Sequence, residues 1–360
     1  MWHDANALNK LYNHFLNEKN ETYKLTGKSP NRYAQQKSII TLKELIPELK
    51  GIHSQVLQQV PLRLHKAFKF FFEHQKDGVG PPNYRSCQNF FGICYPQSGY
   101  SIKDDIFYTK TYGDIKFYKY RLYLGKVKQV QITNKDNKWY LIITTDYVAT
   151  KQEVNNRVGI DLGITNLVAT SDGAIIKNKR HAKYFDKQIA ELDRRNKKCK
   201  KGSRKCKFLK RTIKRLYGVK SRKIKDFLHK VSYNLSSNYD TIFCEDLSLK
   251  EMSESYITGI NRELRNSQLG TFTSFVGYKV HNLVKVNPYN TSKTCNHCGN
   301  IMSMPLSVRT YTCPKCGTIE DRDVNAAKNI YCLGQAVLEK GCTVSAYQMS
   351  LQEALGFSPG

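Results

Sequence analysis

The chain has 360 residues, of which 40% are hydrophobic, so it can form roughly two or three domains with cores of their own. Its 58 lysines and arginines outnumber 30 aspartates and glutamates, giving a formal net charge of +28. Such an excess favours a polyanionic partner. Membrane binding would need an apolar span of about 20 residues or an amphipathic helix with a clean apolar face, and the sequence shows neither.

The first residues do not show the basic segment and apolar run of a signal peptide. We therefore expect an intracellular protein whose thiols are reduced. Eleven cysteines are present, and four of them form two Cys-x-x-Cys pairs close together, which favours a metal site over disulfides.

The N-terminal part of the chain is predicted to be helical over residues 1–83. Thr41-Leu-Lys-Glu resembles a capping box that opens a short helix ending near Lys50, and a further helix is expected over residues 53–72. Residues 84–153 are predicted to form a small antiparallel barrel or sheet, because apolar and polar residues alternate along them. The expected strands are residues 115–122, 127–132 and 139–145, with a turn at residues 134–137.

The second half of the chain shows another pattern. Three short apolar runs, residues 158–164, 167–170 and 174–176, predict a meander of strands. Long basic helices are expected over residues 186–236, and a buried strand with acids at its end over residues 240–247. A helix is expected over residues 268–286, leading into the apolar residues from Leu283 onward, and a final helix is expected from about Val324.

Two cysteine pairs have the spacing of a structural metal site. Cys295 and Cys298 are separated from Cys313 and Cys316 by 14 residues, and a glycine follows each pair directly. Two such tight turns supply the closed tetrahedral set of four thiolates that zinc prefers. His297, between the first two cysteines, could compete as a ligand, but a solvent-facing side chain is the simpler interpretation.

Three carboxylates occupy positions where a charge is costly or marks a site. Asp161 lies inside an apolar strand, Glu245 ends another apolar strand, and Asp323 opens the last helix. One such acid alone is usually a cap or an ion pair, but three in a strongly basic chain favour magnesium-dependent phosphodiester hydrolysis, in which two ions share carboxylates. Asp246 and Asp321 are alternative ligands. Asp246 should point to the opposite face of its strand, and Asp321 should cap the last helix.

Between residues 194 and 225 the chain carries 17 lysines and arginines and no acid. This run predicts contact with nucleic-acid phosphates, without recognition of base sequence. The candidate nucleic-acid-binding residues are Arg194, Arg195, Lys197, Lys198, Arg204, Lys207, Lys210, Arg211, Lys214, Arg215 and Arg222.

Five motifs together resemble the TnpB (OrfB) family of transposon-encoded proteins, which is similar to the compact type V CRISPR nucleases. They are Gly159-Ile-Asp-Leu-Gly-Ile, Cys244-Glu-Asp-Leu, Thr291-Ser-Lys-Thr-Cys-Asn-His-Cys-Gly, Tyr311-Thr-Cys-Pro-Lys-Cys-Gly and Asp321-Arg-Asp-Val-Asn-Ala-Ala-Lys-Asn-Ile. The resemblance covers almost the whole chain.

The resemblance implies a multidomain α/β and β protein. Its expected parts are a helical recognition lobe (1–83), a β-barrel (84–153), a RuvC-type RNase H-like nuclease core (154–290 and 321–360) and an inserted zinc ribbon (291–320). Asp161, Glu245 and Asp323 would be the catalytic acids and magnesium ligands. The implied partners are a transposon-end guide RNA and target DNA, and the expected location is the cytoplasm of a prokaryotic cell, at the nucleoid.

Two points of the resemblance leave alternatives open. Family members usually begin with a basic strand and a Tyr-Pro turn, and Met1 falls just after that element, so the first barrel strand is expected to be missing. Arg309 resembles a recurrent family arginine, with either an active-site or a structural role. The rival functions are a non-cutting RNA-guided regulator, a transposon relic and a strand-joining transposase.

Overall fold

The computed structural model describes residues 1–87, 89–135, 138–148, 154–179, 181–247, 258–305 and 308–340. By its internal contacts the chain divides into two compact units, residues 1–149 and 150–360. Within the described residues, no helix is long and apolar enough to cross a membrane.

Three helices begin the first unit: α1 (Trp2–Thr26), α2 (Arg32–Leu45) and α3 (Ser54–His74). α1 ends at Gly27, whose φ of 69° is the left-handed conformation that glycine adopts without strain. The helices bury apolar faces against each other and against the first strands that follow. The largest fully buried side chains of this core are Tyr95, Phe15, Phe91, Phe107, Leu8, Leu11, Leu16, Leu49 and Leu57.

The expected helix start at Thr41 is wrong, because Thr41 lies inside α2. The helix begins nine residues earlier, where the side chain of Asn31 accepts a hydrogen bond from the Ala34 backbone N–H at 2.9 Å. It ends before Pro47, which opens a single 3₁₀ turn. Residue 41 therefore lies inside a continuous helix. The unpaired N–H groups that a capping box would bond to are found only in the first turn of a helix.

The strands described in the first unit are β1 (Ile93–Tyr95), β2 (Ser101–Lys103), β3 (Ile106–Thr109), β4 (Gly113–Lys116), β5 (Val127–Lys135) and β6 (Lys138–Thr145). They form two antiparallel sheets, in the orders β1-β5-β6 and β2-β3-β4. The strands expected over residues 127–132 and 139–145 are confirmed. The middle of the turn between them, residues 136–137, lies outside the described residues.

The strand expected over residues 115–122 is wrong beyond Lys116. Apolar and polar residues alternate there, but Tyr118, Tyr120 and Leu122 are 78%, 86% and 79% exposed. Alternation alone does not make a strand, because a strand also needs a neighbouring backbone to accept its hydrogen bonds.

The second unit is built on one mixed sheet. Its strands are β7 (Arg157–Leu162), β8 (Asn166–Thr170), β9 (Ile175–Lys177), β10 (Thr241–Glu245) and β11 (Asn282–Val286), in the order β11-β10-β7-β8-β9. β10 runs parallel to both β7 and β11, whereas β7, β8 and β9 form the expected antiparallel meander. β7 and β10 therefore point their C-terminal ends in the same direction.

Among the described residues, five helices and one hairpin complete this unit. The helices are α4 (His181–Lys197), α5 (Arg204–Asn238), α6 (Thr258–Ser267), α7 (Leu269–Gly277) and α8 (Arg322–Lys340). The helix expected over residues 268–286 is wrong beyond Gly277, because residues 282–286 pair with β10 as strand β11. The hairpin pairs β12 (Thr310–Thr312) with β13 (Ile319–Asp321). α5 buries Ile224, Leu228 and Leu235 against the sheet, and most of its charged residues are exposed.

Two glycines allow α8 to lie unusually close to the sheet. A methyl group on Gly159 of β7 would come within 2.3 Å of the Ala327 backbone oxygen and 2.6 Å of the Tyr331 backbone nitrogen. A methyl group on Gly334 of α8 would lie 2.0 Å from the Phe243 ring of β10. Any larger residue must push α8 away from the two central strands.

We predict that Gly159→Ala lowers the free energy of unfolding by about 2–4 kcal/mol, because the new methyl group meets backbone rather than a flexible side chain. The matched control is Gly51→Ala, where an added methyl group has no atom within 4 Å and should change stability by less than about 1 kcal/mol. Urea unfolding followed by circular dichroism measures both. Equal stability of Gly159→Ala and the wild type would contradict the close packing of α8.

Candidate active site and metal centre

Three carboxylates lie at the C-terminal end of the central strands and the start of α8. Cys244 of β10 stands opposite Ile160 of β7 in the parallel register, so the next residues, Glu245 and Asp161, are neighbours. α8 contacts β7 through Gly159, and its first turn carries Asp323. The structure therefore brings together the three acids that the sequence singles out.

The pKa of the Asp161 carboxyl reflects its burial and the presence of the other two acids. Its pKa is raised to about 8, first because the carboxyl is buried, then because Glu245 and Asp323 repel its charge. The hydrogen bond from the Leu162 backbone and the charge of Arg322 oppose this shift but do not cancel it. Burial and repulsion disfavour the ionised form of Asp161, and carboxyl groups perturbed in this way are concentrated at functional sites.

Each of the other two acids has polar partners. Burial raises the pKa of Glu245, and a hydrogen bond from the Thr291 hydroxyl opposes that effect. Asp323 accepts a hydrogen bond from the Asn166 side-chain amide at 2.8 Å. A guanidinium nitrogen of Arg309 lies 3.2 and 3.3 Å from the two carboxylate oxygens of Asp323, whose side chain is only 13% exposed.

The two alternative acids have other partners. Asp246 pairs with Lys285 at 2.7 Å, and its side chain is 61% exposed, as the alternation of a strand predicts. Asp321 accepts hydrogen bonds from the backbone N–H groups of Asp323 and Val324, so it caps α8 as expected.

The donor set of this carboxylate cluster fits divalent cations. Hard carboxylate oxygens are what magnesium prefers, and a bound cation removes the repulsion that raises the pKa of Asp161. The carboxylate oxygens are not all gathered around one point. Among the described residues, only the four cysteines place all their ligand atoms within 4.8 Å of one another. A spread cluster suits more than one ion, together with water and phosphate oxygens.

The four cysteines form the second candidate metal centre. The sulfurs of Cys295 and Cys316 are 3.7 Å apart, and those of Cys298 and Cys313 are 3.5 Å apart. Zinc–sulfur bonds of about 2.3 Å in a tetrahedron place sulfurs roughly 3.8 Å apart, so the cysteines are already arranged for such an ion. Gly299 and Gly317 have φ of 73° and 72°, the left-handed conformation that closes each turn. His297 is exposed and does not belong to the cluster.

All eleven candidate nucleic-acid-binding residues are exposed, and they lie on α4, on α5 or in the connection between them. Arg194 and Arg195 lie beside Glu191 of their own helix. Within the described part of the chain, no acid pairs with Lys207, Lys210 or Lys214. Phe208 and Tyr217 are 66% and 51% exposed on the same helix, which adds aromatic surface to the basic one. Lys220, by contrast, is mostly buried and braces Asp186 and Asn266.

Sequence reasoning missed the residues that hold the acids. Thr291 and Asn166 contact Glu245 and Asp323, but neither has a local pattern that reveals the contact. Asn325 and Asn329 of α8 had a visible signal, since two amides four residues apart lie on one face of a helix. Their side chains bind the segment that leads into the cysteines.

Comparison with known proteins gives matches over both units. The family model described as "Probable transposase" matches residues 129–256, and the one described as "Cas12f1-like, TNB domain" matches residues 270–330. The chain is 30% identical over 328 residues to the putative RNA-guided DNA endonuclease InsQ of Escherichia coli (strain K12), which covers 85% of this chain and 80% of that protein. It is 26% identical over 233 residues to the CRISPR-associated endodeoxyribonuclease Cas12f1 of Sulfoacidibacillus thermotolerans, covering 58% of this chain and 53% of that protein.

A solved structure shares the fold. A chain of the cryo-EM structure of a Cas12f1–sgRNA–target DNA complex superposes with a TM-score of 0.58 at 16% identity, over 92% of this chain and 81% of that one. The protein thus has a multidomain α/β fold of the TnpB/Cas12 type. Together with the similarity to InsQ and to several TnpB-like proteins, this shows that the chain belongs to the TnpB (OrfB) family.

The raised pKa of Asp161 predicts how pH acts on the protein without added magnesium. A carboxyl with a raised pKa binds its proton more tightly when folded, so its contribution to stability is lost as pH rises from the unfolded value toward about 8. Relative to wild type, Asp161→Asn should gain stability by at most about 1.4 kcal/mol per pH unit between pH 5 and pH 8, and then level off. Thermal melts of the zinc-loaded protein in buffer without added magnesium measure this gain.

The same melts in magnesium provide the control. Magnesium should stabilise the wild type and leave Asp161→Asn nearly unchanged, because the variant lacks a ligand. A difference between wild type and variant that does not change with pH in the absence of magnesium would show that Asp161 is not the buried, repelled group described above.

Proposed function

We propose that this protein is a transposon-associated, RNA-guided DNA endonuclease that hydrolyses phosphodiester bonds with Asp161, Glu245 and Asp323. The observation that carries the proposal is the meeting of these acids at one end of β7, β10 and α8, where burial, Glu245 and Asp323 together raise the pKa of Asp161. Family membership adds support, since relatives such as InsQ bear the name of putative RNA-guided DNA endonucleases. On this proposal the mixed sheet and α8 form a RuvC-type RNase H-like core.

The three acids would hold two magnesium ions. Bound magnesium supplies an activated water and stabilises the charge that develops on the leaving oxygen. Thr291 holds one oxygen of Glu245 and leaves the other in a fixed direction, whereas Asp323 is held by Asn166 at one oxygen and by Arg309 at both. Ligands fixed in this way would help to orient the reacting phosphate before the reaction.

Arg309 fits an active-site role better than a purely structural one. Its side chain is 49% exposed, yet its guanidinium contacts the carboxylate of Asp323, whose side chain is nearly buried. An exposed cation beside the acids can reach a phosphate oxygen while it limits the repulsion within the cluster. We therefore assign Arg309 to the contact with the scissile phosphate group.

The cysteine centre would bind structural zinc. All four positions of the tetrahedron are occupied by cysteine sulfurs, which leaves no position for water or substrate. Residues 291–320 then form a zinc ribbon that begins beside Glu245 and ends beside Asp323.

The basic surface of α4 and α5 would hold the nucleic acids. Its exposed lysines and arginines are suited to the phosphates of a guide–target duplex, whose sequence is read by base pairing. The helices α1–α3 and the two small sheets of the first unit are proposed as the recognition lobe and the β-barrel. The division at residues 83, 153, 290 and 320 remains a prediction of the sequence.

The first prediction of this proposal concerns the acids. Asp161→Ala, Glu245→Ala and Asp323→Ala should each reduce DNA cleavage at least about 1,000-fold, because the ligands act as a unit. Binding of RNA and target should change less than about threefold, since the basic helices supply the affinity. The assay uses protein co-expressed with the RNA flanking its gene, and a plasmid library with a randomised sequence beside the target.

Asp246→Ala is the matched control, because Asp246 adjoins Glu245 in sequence but pairs with Lys285 outside the cluster. It should retain cleavage within about threefold. A folded Asp246→Ala that is as inactive as Glu245→Ala would contradict the assignment of the ligands. A wild type that binds its target but never cuts in magnesium would favour a regulator, and joined strands among the products would favour a transposase.

The second prediction concerns salt. Replacing Lys210, Arg211, Lys214 and Arg215 with alanine removes four exposed cations from α5. The slope of log K against log salt for duplex binding should become shallower by about 2 to 4, because fewer counterions are released. Lys230→Ala is the control, since that lysine already pairs with Asp226 at 2.9 Å on the same helix. An unchanged slope in the fourfold variant would show that this face of α5 does not contact nucleic acid.

A further inference from the structure

Thr291 connects the cysteine centre to the carboxylate cluster. It is 4% exposed, stands four residues before Cys295, and its hydroxyl donates a hydrogen bond to one oxygen of Glu245. The hydroxyl hydrogen can rotate, but the position of the hydroxyl oxygen is set by the Cβ and backbone of Thr291. The direction of the hydrogen bond to Glu245 therefore depends on where the Thr291 backbone is held. The other oxygen of Glu245 is then left in a defined direction.

The Thr291 backbone is held by two amide side chains of α8. The side-chain amide of Asn329 donates to the backbone oxygens of Thr291 and Thr294 at 2.7 and 2.8 Å, and the amide of Asn325 donates to Thr294 at 2.8 Å. The Asn325 side-chain oxygen accepts a hydrogen bond from the backbone N–H of Asn296 at 2.9 Å. Asn296 lies between Cys295 and Cys298, so an unbroken series of contacts joins the first cysteine pair to Glu245.

The second cysteine pair is joined to Asp323 in a matching way. Arg309 stands four residues before Cys313, as Thr291 stands four before Cys295. The Arg309 side chain contacts Asp323, and its backbone oxygen accepts a hydrogen bond from the Arg322 N–H at 2.8 Å. Two of the three acids are therefore contacted by residues that stand four positions before a cysteine pair.

We propose that Thr291 is a positioning residue for Glu245, and that metal loading of the four cysteines keeps it in place. The affinity of the carboxylate cluster for divalent ions then depends on the cysteine centre. This inference rests on the proposed function, in that it takes the acids to be ligands of divalent ions. Its physical basis is that short cysteine modules keep their fold only with the metal bound, so residues 291–296 lose their fixed position without it.

The test measures divalent-ion binding rather than cleavage. Manganese is titrated into the full chain, free of nucleic acid, and free manganese is followed by electron paramagnetic resonance. Asp161→Asn serves as the blank, so that only binding that depends on the acids is counted. Zinc content and melting temperature are measured on every variant.

Thr291→Val removes the hydroxyl and keeps the shape of the side chain. It should retain one zinc per chain and bind manganese at the acids about tenfold more weakly, as expected for loss of a hydrogen bond to a charged group. Thr291→Ser, which keeps the hydroxyl, should bind within about threefold of wild type. Thr294→Val is the matched control, because that hydroxyl bonds only to the Asn290 backbone oxygen at 2.9 Å, and it should bind as wild type does.

The cysteine arm uses the double variant Cys313→Ser, Cys316→Ser. It should contain no zinc and bind manganese at the acids at least about tenfold more weakly, with most of its helical circular dichroism retained. Wild-type manganese affinity in this zinc-free variant, or in Thr291→Val, would overturn the inference. If Thr291→Val disturbs the fold, Thr291→Ser decides the test. Thr291→Ser keeps the hydroxyl, so manganese binding by Thr291→Ser that is as weak as binding by Thr291→Val would also overturn the inference.

The outcomes separate this inference from the proposed function. If the wild type shows no manganese binding that depends on Asp161, the carboxylate cluster is not a divalent-ion site and the proposed function fails with it. If the wild type binds manganese and Thr291→Val binds it equally well, only the positioning role fails.

Discussion

The close approach of α8 to the two central strands is the constraint on which the site depends. Gly159 and Gly334 leave no room for a side chain between the helix and β7 or β10. Because the helix lies this close, Asp323 in its first turn comes near Asp161 and Glu245, which stand side by side at the ends of parallel strands. Carboxylates from distant parts of the sequence thus meet at one place.

The concentration of negative charge shapes what surrounds it. Burial and mutual repulsion raise the pKa of Asp161 to about 8, a condition that divalent cations relieve. The neighbouring polar side chains contact the other two acids, Glu245 through Thr291 and Asp323 through Asn166 and Arg309. In a chain of net charge +28, this small acidic region stands against a basic background, and that background favours a polyanionic partner.

The sequence was informative where a residue's chemistry conflicted with its surroundings. Asp161 and Glu245 stood out because they lie in or end apolar strands, and the cysteines because their spacing is rare without a metal. Local signals failed where tertiary contacts decide. Thr41 resembled a cap but lies inside α2, and residues 118–122 alternate like a strand but belong to none of the strands among the described residues.

The contacts around the acids could not be predicted from the sequence for a different reason. Thr291, Asn166 and Arg309 reach the acids across 14 to 157 positions of sequence, and their partners are fixed only when α8 and the cysteine module take their places. Gly334 shows the same limit, since its need to be glycine comes from the Phe243 ring on another element.

The central claim is that the acids bind divalent ions while the cysteines bind zinc. It is tested most directly by anomalous diffraction from crystals of the wild-type protein grown in manganese, with data collected at the manganese and zinc absorption edges. The account predicts manganese peaks within coordination distance of Asp161, Glu245 and Asp323, and a zinc peak among Cys295, Cys298, Cys313 and Cys316. Ordered acids with no manganese beside them, or an ordered cysteine cluster without zinc, would contradict it.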